Sequence, residues 1–243
     1  MVEFYRKVLA FGSVLSFRAA TRGSGTLGRE EGRKSAYFKT VFKYKFFVGV
    51  VEGFMTSNLA GNLLVASSSI ENPLYARSVC LLVHHDPDGA IGLLLNRPLE
   101  PQPTELLKLL TVSGGHERYP QTGGTMVHFG GPLSGPVVAL HTFPKLADGA
   151  ALEGVYVAAQ KDHLQALLQQ TDCGVRLIVG HAGWKAGQLE QEIDRGRWHV
   201  IEATSEVVLG SDELMWERLI RRACGRSVAR WTGAGLVSAA ELN

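Results

Sequence analysis

No apolar run in this chain of 243 residues approaches the roughly 20 residues needed to span a bilayer. Cysteine is scarce as well. Cys80, Cys173 and Cys224 are odd in number, far apart and in no Cys-x-x-Cys spacing, which excludes a full disulfide framework and a cysteine-built zinc centre. Cys80 lies within Val79-Cys80-Leu81-Leu82-Val83 and reads as a buried, inert thiol. No Gly-x-Ser-x-Gly elbow of a hydrolase appears anywhere in the chain. The glycine-containing segment 180–195 has neither the lysine-serine ending of a phosphate loop nor a Gly-x-Gly-x-x-Gly. Net charge is only +2, and it is unevenly spread. Residues 1–54 hold ten Lys/Arg against four Asp/Glu, and the remainder fifteen against nineteen, so the balances are +6 and −4. A mildly acidic body is a poor non-specific binder of nucleic acid or anionic membrane.

Residues 1–54 are expected to lie outside the fold. Two basic apolar islands there flank a Gly/Arg/Ser-rich middle, and Val8–Phe17 behind Arg6-Lys7 loosely imitates a signal peptide without a cleavage site. Met55 is the favoured true start, with a targeting or disordered tail as the alternative. Residues 55–243 read as one α/β-type domain with no internal repeat. Short apolar runs predict strands at 63–67, 79–85, 90–95, 126–129, 136–141, 155–158, 175–179 and 198–201. Asp86-Pro87-Asp88-Gly89 presets a turn and joins the second and third runs as a hairpin. Helices are expected at 105–110, 162–170, 184–195 and 211–224, the last with Ser211 as its cap.

Several residues invite a chemical reading. His84-His85-Asp86 with Asp88 has metal-ligating types, yet strand neighbours face opposite sides, so a polar strand end is favoured over a metal site. One of the two histidines can still sit at a pocket rim. Ser78 and His85, seven residues apart on a strand, would be about 23 Å apart and cannot form a dyad. Ser78 is read as a strand-start cap. Asn96 and Arg97 close the hairpin, and Arg97 near Arg77 would make a bidentate site for a carboxylate or phosphate. Surface arginines at strand ends are favoured over that site. Segment 180–195 is expected to run strand, glycine loop, helix, with Gly180 and Gly183 allowing close approach to the helix entrance. On that helix Ala186, Leu189 and Ile193 form the core stripe, and Trp184, Gln188 and Gln191 the opposite face. Trp184 is then either a binding surface or folded back onto the sheet. Gly130-Gly131-Pro132 is a turn that also leaves room for a ligand. Arg218, Arg221 and Arg222, with Arg226 and Arg230, line the outer side of the last helix and offer a minority reading of DNA contact.

The ordered set Arg77-Ser78-Val79, His85, Gly89-Ala90, Gly92, Asn96-Arg97-Pro98, Gly130-Gly131-Pro132, His141, Gly180, Ala182, Trp184, Gly187-Gln188-Leu189-Glu190, Trp198 and Trp216 resembles the AlgH-like family from about Asn62 to Gly225. Ser68, Asn72 and His181 depart from the proline, aspartate and tyrosine common there, and losing the carboxylate at 72 weakens any catalytic role for that position. The resemblance implies an α+β fold whose twisted mixed sheets form a partly barrel-like core flanked by helices, and a cytoplasmic location. The expected function is non-catalytic binding of a small anionic ligand or a protein, with a regulatory role, around Arg77, Ser78, His85, Asn96, Arg97, Gly130, Gly131, Gly183, Trp184 and Gln188. An enzyme acting on an anionic substrate is the alternative, and DNA-binding regulation the third reading. No cofactor, metal or membrane partner is expected.

Overall fold

A computed structural model describes residues 58–103, 106, 110, 126–170 and 174–232, with side chains in the last helix to residue 225. The 1–54 extension, Cys173 and most of the helix expected at 105–110 fall outside these residues. The described strands are β1 (Asn62–Ala66), β2 (Val79–Asp86), β3 (Gly89–Leu94), β4 (Val127–Phe129), β5 (Leu133–His141), β6 (Gly149–Leu152), β7 (Val155–Ala158), β8 (Arg176–Lys185) and β9 (Trp198–Glu202). The helices are α1 (Lys161–Leu168), α2 (Gln188–Asp194), α3 (Ser205–Leu209) and α4 (Met215–Thr232).

The strands run in the order β6-β7-β5-β8-β3-β2-β1-β9, all antiparallel, while β4 adds a parallel partner to β8. The sheet curls until its ends approach: a Cβ built on Gly61, just before β1, would lie 3.3 Å from the Ala151 carbonyl in β6. This is the α+β, partly barrel-like core that the resemblance implied. Strand alternation divides the apolar residues into three layers. Leu63, Val65, Val79, Leu81, Val83, Leu93, Leu95, Leu140, Val157 and Ile178 fill the concave interior, which Val208 of α3 and Met215 and Leu219 of α4 close. Leu64, Cys80, Leu82, Leu94, Trp184 and Trp198 face outward under Leu189 of α2. Val127, Ala139, Leu177 and Val179 face outward under Leu164 and Leu167 of α1. Each fully buried leucine contributes about 2 kcal/mol of transfer free energy. Among the described residues no helix is long and apolar enough to cross a membrane.

The hairpin appears as expected, β2 and β3 pairing from Cys80↔Leu94 to Asp86↔Gly89. A bulge between Leu82 and His84 shifts its register. Such an extra residue turns the side chains beyond it to the other face. His85 is thereby aimed at α2, while His84 pairs with Asp86 at 2.9 Å. β6 and α3 were not expected, and two of the expected elements differ in extent. Residues 180–185 continue β8 and form no glycine loop, and the helix begins only at Gln188, after Gly187 takes the left-handed angle φ 70. The last helix starts at Met215, four residues later than expected, because Ser211–Leu214 is a turn held by Asp212.

Candidate functional site

The turn between β1 and β2 is built by its own polar groups. Asn72 Oδ1 accepts the Leu74 N–H at 3.0 Å, and the Asn72 carbonyl accepts those of Tyr75 and Ala76 at 2.9 and 2.8 Å. Such an Asx turn fixes the backbone without help from the sheet. Ser78 is fully buried and donates its hydroxyl to the Tyr75 carbonyl at 2.6 Å. Arg77, between them, has φ 56, a left-handed angle that costs a non-glycine residue about 1–2 kcal/mol. Its exposed guanidinium lies 5.4 Å from the Trp216 ring centroid. Asn96 straddles the hairpin end, accepting the Val79 N–H and donating to the Arg77 carbonyl, each at 2.9 Å. Arg97 is half-buried, and one terminal nitrogen donates to the Ala76 carbonyl. Its Nε is buried with no hydrogen-bond partner, and burial lowers the guanidinium pKa from its usual value. Arg97 thus reaches the backbone just before Arg77, while the Arg77 guanidinium lies over Trp216. Among the described residues no carboxylate forms an ion pair with either.

An aromatic wall stands beside this turn. Tyr75 packs edge-on to Trp198 at 6.1 Å, and Trp198 edge-on to Trp184 at 6.0 Å. Glu192 collects both indoles, accepting from Trp184 Nε1 at 3.1 Å and Trp198 Nε1 at 2.8 Å. Trp216 Nε1 donates to the Ala66 carbonyl at 2.7 Å, beside Trp198 in register. Burial, then Cys80 and Glu192 nearby, raises the Tyr75 phenol pKa. Arg77 and Trp184 thus border one aromatic cluster on the same outer face. The expectation that Trp184, Gln188 and Gln191 share an exposed helix face is corrected: Trp184 lies in β8, 7 % exposed, its ring filling space that Gly92 leaves open. Gln188 is exposed but internally engaged, accepting the Lys185 N–H at 3.1 Å and donating to Glu192 at 3.0 Å.

The remaining candidates do not join the turn. His85 sits at the far end of β2, about 25 Å of extended chain from Arg77. Its Nδ1 accepts the Leu59 N–H at 3.1 Å, so Nε2 carries the proton toward Glu190 at 2.7 Å. Gly130 and Gly131 are packing glycines. A Cβ on Gly131, at φ 146, would overlap the His181 backbone, and one on Gly130 would overlap the Gly180 carbonyl. Gly183 is exposed in β8 with Leu133 Cδ1 over it. No ligand cradle forms from these three, because the space they leave is taken by crossing strands or by Leu133.

Sequence reasoning missed a polar network inside the barrel. Arg176, 5 % exposed, donates to the carbonyls of Val208 at 3.0 Å, Leu95 at 2.6 Å and Gly210, and ion-pairs with Asp212. His128 completes it, with Nδ1 at 3.1 Å from the Met126 carbonyl and Nε2 at 2.6 Å from Asp212 and 2.9 Å from Arg176. The His128 and Arg176 bonds hold the Asp212 pKa below the carboxylate norm against its burial. Its sequence signal was a lone charge between Val175 and Leu177. None of these clusters assembles hydrolytic machinery. Ser78 is bonded to a carbonyl, both His85 nitrogens are engaged, and burial pushes the Cys80 thiol pKa up. Among the described residues no group of three or more His, Cys, Asp or Glu could hold a metal ion.

Comparison with known proteins agrees with this architecture. A UPF0301 protein of Chlorobaculum tepidum is 34% identical over 172 residues, covering 68% of this chain and 87% of its own. A UPF0301 protein of Cereibacter sphaeroides is 34% identical over 171 residues, covering 68% and 91%. The solution structure of the AlgH protein from Pseudomonas aeruginosa shares the fold, with a TM-score of 0.53 at 21% identity over 76% of this chain and 99% of that one. A crystal structure from Corynebacterium diphtheriae gives the same TM-score, 0.53, at 25% identity over 71% and 90%. Residues 63–227 match the AlgH-like family description (DUF179), and the chain belongs to that family.

Proposed function

We propose that this chain is a non-catalytic cytoplasmic binding protein with a regulatory role, taking the carboxylate or phosphate of a ligand or partner on Arg77 and Arg97. The observation that carries the reading is that neither guanidinium, that of Arg97 at the Ala76 carbonyl and that of Arg77 over Trp216, has a carboxylate partner among the described residues. A half-buried arginine without an anion is costly, and an oxyanion in plane with the guanidinium is the ligand it fits. Arg77 adds weight. It holds a left-handed backbone that glycine would take without strain, so the side chain is retained at a conformational cost. Two competing readings have less support. An enzyme needs a free base beside a nucleophile or metal, and the described histidine and serine candidates are engaged in structural bonds. DNA contact through residues 218–230 loses Arg218, which donates to the Glu213 carbonyl at 3.0 Å and anchors the turn before α4.

The test is thermal unfolding in sodium phosphate and in sodium citrate against sodium chloride at matched ionic strength. Wild type is expected to gain Tm in the oxyanion salts, while Arg77→Gly and Arg97→Met gain none. Equal gains in all three proteins would overturn the reading.

A further inference from the structure

The exposed turn that carries Arg77 has the form of a docking surface for another protein, and this deepening rests on the oxyanion reading above. Residues 71–74 and Arg77 are all exposed, so the arginine stands on a projecting turn where small metabolites, which favour enclosed clefts, gain little burial. Leu74 is 44% exposed and lies three residues from Arg77. The turn is rigid, because Asn72 and Ser78 close it with side-chain hydrogen bonds. Arg77 is itself pre-ordered by stacking on Trp216. A fixed backbone, a pre-positioned arginine, an exposed leucine and a half-buried tyrosine combine hot-spot residue types with a low ordering cost on binding. Glu71, the carboxylate on this turn, ion-pairs with neither arginine, and among the described residues no other carboxylate does.

We propose that the 71–77 turn, with Arg97 behind it, binds a segment of a partner protein that presents an acidic side chain next to an apolar one. The carboxylate lies against the Arg77 guanidinium and the apolar side chain covers Leu74. Carboxylate is favoured over nucleic-acid phosphate because the body of the chain is net acidic, which repels a long polyanion but tolerates one local negative group.

A random linear peptide library displayed on phage, panned against the full chain, provides the probe. The selected peptide is then synthesised and titrated by fluorescence anisotropy. The expected consensus pairs Asp or Glu with Leu, Ile or Phe within two residues. Binding is expected to fall about tenfold in Arg77→Ala and about fivefold in Leu74→Ala, sizes ordinary for interface anchors. Arg77→Gly, which relieves the backbone strain, guards against misfolding as the cause and is expected to fall as far. Failure to enrich peptides, a basic consensus, or binding indifferent to Leu74 and Arg77 would each overturn docking. If the phosphate and citrate gains in Tm persist and depend on Arg77 in that case, the oxyanion reading survives without it. If those gains are absent as well, both fall.

Discussion

A guanidinium inside a curled sheet must find acceptors for several N–H groups, since an uncompensated buried charge is expensive. Arg176 finds three backbone carbonyls and one carboxylate, and those acceptors come from the residue just after β3, the C-terminal end of α3 and the turn before α4. Val208 and Gly210 lie at the C-terminal end of α3, where carbonyls lack helical partners and a cation is favoured. Arg176 therefore fastens the helical plug to the barrel. Arg176→Met is expected to lose about 3–5 kcal/mol, the cost typical of breaking a buried pair from one side. Urea unfolding should show the midpoint falling, with Asp212→Asn losing less because the carbonyls keep their donor. A wild-type midpoint in Arg176→Met would remove the network from the account of stability.

At the element scale, β8 explains where the sequence could be read and where it misled. Val175–Val179 was legible as a strand because its apolar run is short and β-branched. The continuation Gly180-His181-Ala182-Gly183-Trp184-Lys185 looked like a loop, since glycines usually interrupt strands. Here they remove side chains where Gly131 and Leu133 cross, a tertiary fact invisible to local pattern. Trp184 and Gln188 also sit four apart, so helical spacing fitted a residue that belongs to the strand. The β2–β3 hairpin was legible because a strong turn joins its strands, and at its open end Asn96 bonds Val79 and Arg77. β6 was not legible, as Gly149–Leu152 contains no β-branched or aromatic residue, and α3 is only five residues long. Two glycine variants test the crossing. Gly131→Ala adds a Cβ into backbone at φ 146 and is expected to lose on the order of 3 kcal/mol, while Gly154→Ala, at φ 76 with nothing within 4 Å, should lose about 1 kcal/mol. Urea midpoints in the reverse order would show that the strand crossing yields easily.

At the scale of the whole molecule, the interior sets an acid limit through histidines before the carboxylates contribute. His141 in β5 and His181 in β8 are both buried, and burial lowers each pKa to about 4, from 6.5. His141 Nδ1 accepts the Phe143 N–H at 3.1 Å, so a second ring proton would break that bond. A folded pKa below the unfolded one means that the unfolded chain binds more protons between the two values. The stabilisation from neutral His141 and His181 is thus complete above about pH 6.5 and is lost as pH falls toward 4. Asp212 is lowered by the His128 and Arg176 bonds against its burial, and Glu192 by the Gln188, Trp198 and Trp184 bonds against its own. Their share is present above the ordinary carboxylate range and disappears only in more acidic solution. Stability should accordingly begin to fall near pH 6.5 through the histidines and go on falling below 4 as the carboxylates take over. His141→Asn keeps an acceptor for Phe143 but cannot titrate, so its Tm should fall less than wild type's between pH 6.5 and 4.5, with the remaining slope coming from His181. An unchanged slope in that variant would mean that protonating His141 costs the fold nothing, and that its burial is relieved by local opening rather than by global unfolding.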